Sequence, residues 1–326
     1  MDMNSDSLNA DVLNTDELLS IAFDAVTATA TRTGPSEGLE EQVLTRVLAG
    51  EKPRRHPGWN ERDRFEPKWR RADSLDAFIK TAAELSTLFD SLSAGDWTRT
   101  TRIEGASVRQ IVEHLVGVER YLLGCLDRRP RLDAPRREDH WPVSRRAATG
   151  LAGEPDETVS QSWWSEVLNL IAACAELGPD HALTYHHLAG TLQGLLVVRT
   201  FELWTHGNDI RDAIGRPADD LDEARLSLMV DELMRVLPLG LALSGCPQPG
   251  RTARLRLTGA GGGSFDVSLD PTTAVGRPDI TLTADVIDLC RLAANRLAPD
   301  ALDVIVEGDR RLLEPVLVGA TAFAAD

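Results

Sequence analysis

Cysteine is scarce in this chain, with four in 326 residues (Cys125, Cys174, Cys246 and Cys290), far apart and with no C-x-x-C pair. A disulfide-stapled scaffold is excluded at that density. Bases are outnumbered, 35 against 51 acids, for a formal net charge of −16 and a pI of about 4.9. An overall electropositive face for nucleic acid is therefore missing, and an anionic membrane surface would repel the chain. Long apolar runs are missing too. The LLVV at 195–198 falls far short of the ~20 residues that span a bilayer. The opening MDMNSDSLNADVLNTDELL is acidic and has neither a basic start nor an apolar core. No secretory signal is visible in it, and the compartment reads as reducing cytoplasm.

Apolar residues make up 42% of the chain and charged residues 26%, enough to bury a core, and the length predicts two domains. Residues 1–50 carry nine acids and two bases; from 51 to 73 there are eight bases against five acids, with Pro53, Pro57 and Pro67 interrupting any periodicity. We read 1–73 as an appendage, with helices around 15–30 and 36–49 and an extended Pro/Arg linker. A solvated arm is the plain reading of it, and a partner-binding or homodimerising arm the other.

Residues 74–218 read as helices. Leu75, Phe78, Ile79, Ala82, Leu85, Leu88, Phe89 and Leu92 repeat at three- and four-residue steps between Ser74 and Gly95. Ser107 and Gln110 form the capping-box pattern S-x-x-Q, after which Val108, Ile111, Leu115, Val118 and Leu122 share a face. A polar Pro/Arg-rich stretch (128–157) reads as a long crossover loop. A third helix is expected from about Glu157 to Leu177, stopped by Gly178-Pro179, and a fourth from about Gly190 to Ile214, stopped by Gly215. Four amphipathic helices with one long crossover argue for a four-helix bundle. After 218 the period changes. An acidic-capped helix (220–245) leads to alternating RLRLTG and SFDVSLD segments, read as a β-hairpin, then a strand DITLT, a helix, a strand LDVIVEG and a last helix. The fold class is thus α+β and multidomain: an N-terminal extension (1–73), a helical bundle (74–218) and a small α+β domain (219–326).

Three interior polar residues carry the chemistry. Glu202 and His206 are four apart, so both project from one face of the fourth helix, which also bears Leu195 and Val198. His114 lies on the apolar face of the second helix, between Ile111 and Val118. Two helices thus aim His, Glu and His at one interior region, and His₂Glu with an open position is a catalytic-type ligand set for Zn²⁺. Taken singly, each is explained as a helix ion pair or a hydrogen-bonded core histidine. Asp209, three residues past His206, is placed to fix its other ring nitrogen. Arg199, three before Glu202, is placed either to bind polar groups of a ligand or to form an i,i+3 pair. His186 and His187 precede the fourth helix, where they would line a pocket mouth, and His140-Trp141 lie in the crossover. The GAGGGS at 259–264 has glycines but no lysine and opens no helix, so it reads as a hairpin turn rather than a phosphate loop. The Arg clusters at 128–137 and 145–146 read as solvated loop faces. No cysteine has the context of a nucleophile.

The stretch GASVRQIVEHLVGVERYLL resembles the "W-T/S-V-R-D-V-V-A-H-L" helix of the mycothiol-dependent maleylpyruvate isomerase family, a branch of the DinB-like metalloenzymes. RTFELWTHGNDIRDAIGRP resembles that family's second signature, E-x-x-x-H followed by Asp and then G-R-P. The resemblance covers about 74–326 and implies a DinB-like bundle with a sterol-carrier-like C-terminal domain. It implies His114, Glu202 and His206 as ligands of a divalent metal, Zn²⁺ being expected. It implies mycothiol as the thiol cosubstrate. The chain departs from the family in its 1–73 extension and in RIEGAS, where small Pro/Gly/Trp clusters are usual. On those departures we expect a cytoplasmic S-transferase that joins mycothiol to a small electrophile, as in sulfur incorporation into natural products. A mycothiol-dependent cis–trans isomerase is the runner-up, ahead of a non-catalytic scaffold and of lipid carriage by the C-terminal domain. Neither nucleic acid nor membrane is expected as a partner.

Overall fold

The computed structural model of the protein describes residues 73–103, 105–126, 140–185 and 188–323. The helices expected around 15–30 and 36–49, with the appendage that holds them, lie outside the described residues.

Helix α1 (Asp73–Asp90) buries Leu75, Phe78, Ile79, Ala82, Leu85, Leu88 and Phe89, the stripe its sequence spacing demands. It ends five residues before Gly95, because Ser93 and Asp96 close a tight turn, the Ser93 amide donating to Asp96 Oδ2 at 2.9 Å. Helix α2 (Val108–Leu126) opens on the expected reciprocal cap. The Ser107 amide donates to Gln110 Oε1 at 2.8 Å, and the Gln110 amide to Ser107 Oγ at 3.3 Å. Ahead of it the Thr101 amide donates to the Ala106 carbonyl at 2.7 Å, and Gly105 sits at φ 75°.

The crossover read as loop contains a helix, α3 (His140–Leu151). Its buried positions, Ser144, Ala147 and Leu151, are spaced as a helix requires but are mostly small, so they give almost no hydrophobic signal. Small residues are needed because α3 lies against α2 at Gly117, where a Cβ would stand 2.2 Å from Ser144 Cα. Helix α4 (Asp156–Leu177) buries Val159, Trp163, Val167, Leu170, Ile171 and Cys174, and ends on Gly178 at φ 79°. A short antiparallel hairpin, β1 (Ala182–Tyr185) and β2 (Leu188–Thr191), then occupies the place given to loop and to the start of the fourth helix. Helix α5 (Leu192–Ala213) therefore starts two residues later than expected, with Thr191 Oγ1 accepting from the Gly194 amide.

α1, α2, α4 and α5 pack around one apolar core. A second core lies in the C-terminal region. Helix α6 (Glu223–Leu243) is capped by Asp222, whose Oδ1 accepts from the Arg225 amide at 3.1 Å. Strands β3 (Thr252–Thr258), β4 (Gly263–Ser268), β5 (Ile280–Asp285) and β6 (Val304–Gly308) form a sheet in the order β4-β3-β5-β6. The expected hairpin pairs Leu255 with Phe265, β3 and β5 are parallel, and β6 returns antiparallel to β5. One sheet face, with Ala253, Leu255, Leu257, Val267, Ile280 and Leu282, is buried with α6, α7 (Val286–Ala293) and α8 (Leu313–Thr321). The other is polar, with Arg254 paired to Asp266 at 2.7 Å.

Helix α5 belongs to both cores. Leu195, Leu203 and Ile210 face the first, and Val197 and Trp204 the second. Polar contacts join the two regions. Arg225 donates to Thr81 Oγ1 at 2.9 Å and Glu84 Oε1 at 3.0 Å, and Trp204 Nε1 donates to the Asp219 carbonyl at 2.8 Å. Among the described residues, no helix is long and apolar enough to cross a membrane.

Candidate metal centre

α2 and α5 bring His114, Glu202 and His206 together. One donor atom from each lies within 4.8 Å of the other two. Glu202 Oε1 is 3.6 Å from His114 Nε2 and 3.9 Å from His206 Nε2, and the imidazole rings stand 5.6 Å apart, nearly edge to face at 76°. The His206 side chain is 2% exposed, those of His114 and Glu202 14% and 29%, so the cluster is closed at His206 and most accessible at Glu202. Two imidazole nitrogens and a carboxylate oxygen that converge beside an accessible side suit a divalent ion with an open position.

Glu202 turns its second oxygen away from the histidines. Oε2 accepts from Arg199 Nη1, while Arg199 Nη2 donates to Glu119 Oε1 at 2.6 Å. Arg199 is 1% exposed and Glu119 fully buried. Of the two roles open to Arg199, the i,i+3 pair with Glu202 is present, and the guanidinium is enclosed between the two carboxylates. Burial disfavours a charge on Glu202, but Arg199 and the two imidazoles hold its carboxyl well below the usual range. Glu119 behaves oppositely, because burial pushes it up more than Arg199 pulls it down.

Asp209 stands where helical spacing puts it, its Oδ2 3.5 Å from His206 Nδ1. It is 3% exposed and is held from the C-terminal region by Arg296, which donates to it through Nε at 2.8 Å and Nη2 at 2.9 Å. Burial opposes the charge on Asp209, and hydrogen bonds from His206 and Arg296 lower its carboxyl nonetheless.

Glu119 and Arg296 were absent from the sequence reading. Glu119 had a detectable signal, being a charged residue one step past Val118 on a helix buried nearly all round. Arg296 had none, since it reaches Asp209 across 87 residues. Tyr185 on β1 is a third addition. Burial raises its phenol, and the charges of Glu232 and Glu202 raise it further, so it stays protonated. His186, His187 and the cluster at 128–137 lie outside the described residues, as do the side chains of His140 and Trp141. Arg145 and Arg146 are exposed on α3, and 259–262 is the turn between β3 and β4. Cys174 and Cys290 are pushed up to about 12 by burial, with Glu119 and Asp285 adding to it, so neither offers a thiolate near neutral pH.

The segment that carries the cluster is similar to known proteins. Residues 78–211, which include all three clustered residues, match the family model of the mycothiol maleylpyruvate isomerase N-terminal domain. The crystal structure of the mycothiol-dependent maleylpyruvate isomerase aligns over 71% of this chain and 91% of that one, at 14% identity and a TM-score of 0.50. A mutant of that enzyme aligns over the same shares, at 14% identity and a TM-score of 0.49. The first of these carries a likeness of fold. No curated protein matches the sequence. Residues 78–211 thus form a domain similar to the mycothiol maleylpyruvate isomerase N-terminal domain.

Proposed function

We propose that this protein is a cytoplasmic, metal-dependent enzyme that uses mycothiol to attack a small electrophile, with His114, Glu202 and His206 holding the ion. The observation that carries this is the convergence of their donor atoms, in a segment matched by a mycothiol family. A divalent ion there, Zn²⁺ being the expected one, would act as a Lewis acid that keeps the incoming thiol deprotonated. The residues do the rest. Arg199 keeps Glu202 charged and oriented, Asp209 holds the His206 ring through Nδ1, and the burial of His206 keeps water from its ring. On this reading 74–218 is a DinB-like bundle and the C-terminal region a sterol-carrier-like domain that supports it through Arg296.

The match to the isomerase family's N-terminal domain favours isomerisation as the reaction. The thiolate adds to one carbon of a conjugated double bond and the electron pair moves onto the conjugated carbonyl. The new single bond rotates, and expulsion of the thiol restores the double bond in the other geometry. S-transfer, in which the thiol displaces a leaving group and the C–S bond remains, uses the same nucleophile. It is favoured by the extension at 1–73 and by RIEGAS, which departs from the family pattern. Incubation of metal-loaded protein with mycothiol and either unsaturated dicarboxylic acids or electrophiles carrying leaving groups tests both. A product of unchanged mass that forms only with thiol supports isomerisation, and a thiol adduct supports transfer. If neither forms with any substrate, the protein being folded and loaded, the enzymatic reading falls.

A further inference from the structure

The least expected feature of the interior is Glu119. It is fully buried in α2, and Arg199 beside it already has a carboxylate partner in Glu202. A second buried carboxylate is not required to neutralise Arg199, and enclosing one is costly. Its effect is geometric. The guanidinium is a planar fork with donors at fixed angles, so a hydrogen bond at Nη2 sets where Nη1 points. Glu119 Oε1 occupies Nη2 at 2.6 Å, and Nη1 is thereby directed at Glu202 Oε2. The other oxygen, Oε1, is the one that faces His114 Nε2 and His206 Nε2.

We infer that Glu119 is a positioning residue which, through Arg199, restricts Glu202 to one-oxygen coordination and so keeps a coordination position open for the thiol. The inference rests on the metal-centre reading above. A carboxylate can bind an ion through one oxygen or two, and a second oxygen from Glu202 would occupy the position that a cosubstrate needs. Freed from the Glu119–Arg199 tether, Glu202 can turn and present both. The tether is also rigid before any ion arrives. It runs through side chains with 0–2% exposure on two packed helices, and preorganisation of that kind supports affinity as well as geometry.

The test uses the full chain loaded with Co²⁺, whose visible absorption is intense at four-coordination and weakens as coordination number rises. Wild type, Glu119→Leu and Glu119→Gln are compared for Co²⁺ affinity, visible spectrum and binding of 2-mercaptoethanol, read from the sulfur-to-cobalt charge-transfer band. Glutamine keeps an acceptor for Arg199 and leucine does not. We expect the leucine variant to bind Co²⁺ about 10-fold more weakly, to show reduced visible absorption and to lose most thiol binding; the glutamine variant should stay within about threefold of wild type. In an Arg199→Met background, Glu119→Leu should add nothing further. If the leucine variant does not fold, Glu119→Ala, which leaves room for water beside the guanidinium, carries the same comparison. A purely structural Glu119 would lower the melting temperature and leave spectrum and thiol binding alone, overturning the inference. A wild-type chain that binds no Co²⁺ would overturn the metal centre itself, a result distinct from that one.

Discussion

Arg296 grips Asp209 with two parallel hydrogen bonds, at 2.8 and 2.9 Å, across the boundary between the two hydrophobic cores. Asp209 in turn faces Nδ1 of His206 at 3.5 Å. A loop after α7 therefore supports a residue of the candidate metal centre through one intermediate carboxylate. The fork geometry matters, because a lysine supplies charge but not two fixed donors.

Arg296→Gln should consequently damage both stability and metal binding. Asp209 and Arg296 have 3% and 10% side-chain exposure, and removing one partner of a pair this buried costs about 3 kcal/mol. Metal affinity should fall about 10-fold, as the His206 ring loses its fixed support. Arg296→Lys should recover part of the stability and little of the affinity. Denaturant unfolding of the apo-protein and competition with a chromophoric chelator measure the two effects. An unchanged affinity in Arg296→Gln would separate the C-terminal region from the metal centre.

The same pair predicts a pH dependence. Asp209 is held below the ordinary aspartate value of 3.8, since His206 and Arg296 outweigh the burial that opposes its charge. A carboxyl depressed in the folded state contributes stability above its unfolded value, and the contribution is lost as pH falls through the folded value. Asp209→Asn should therefore melt below wild type at neutral pH, with the gap closing as the pH drops below 3.8. Paired melting curves from pH 7 to 3 report it, and a constant gap would mean that the charge of Asp209 contributes nothing.

The metal reading predicts about one divalent ion per chain in protein purified without chelator. His114→Ala and His206→Ala should each lose most of it, because two of three ligands do not hold an ion firmly. Glu202→Gln should retain the fold while turnover falls at least ~100-fold, and Asp209→Asn should cost roughly 10-fold. Elemental analysis beside thiol-dependent turnover gives both readings. Equal metal content in wild type and the histidine variants would remove these three residues as the site.

Two glycines of α2 should respond oppositely to alanine. At Gly117 the new Cβ would lie 2.2 Å from Ser144 Cα, so α2 and α3 must separate, at a cost of about 1–3 kcal/mol. At Gly124 nothing lies within 4 Å, and the better helix former should stabilise the protein by up to ~1 kcal/mol. Melting temperatures of Gly117→Ala and Gly124→Ala decide it. A neutral Gly117→Ala would mean that α3 does not pack on α2 in solution.

The elements legible in sequence were those whose information is local. The capping box at Ser107 and Gln110, the stop at Gly178 and the Leu255–Phe265 hairpin each depend on residues close along the chain, and each is found in the structure. His114, Glu202 and His206 could be placed on interior faces because a helical period converts spacing into direction. Helix α3 was hidden because a close helix contact selects small residues, which carry little hydrophobic signal. Hairpin β1–β2 was hidden because its strands are only four residues long. Only the tertiary structure decided that α5 serves two cores, that β3 lies parallel to β5, and that Glu119 and Arg296 reach the candidate centre across 80 and 87 residues. Those pairings depend on which surfaces meet after the helices pack, and no local propensity encodes which buried carboxylate will face which guanidinium.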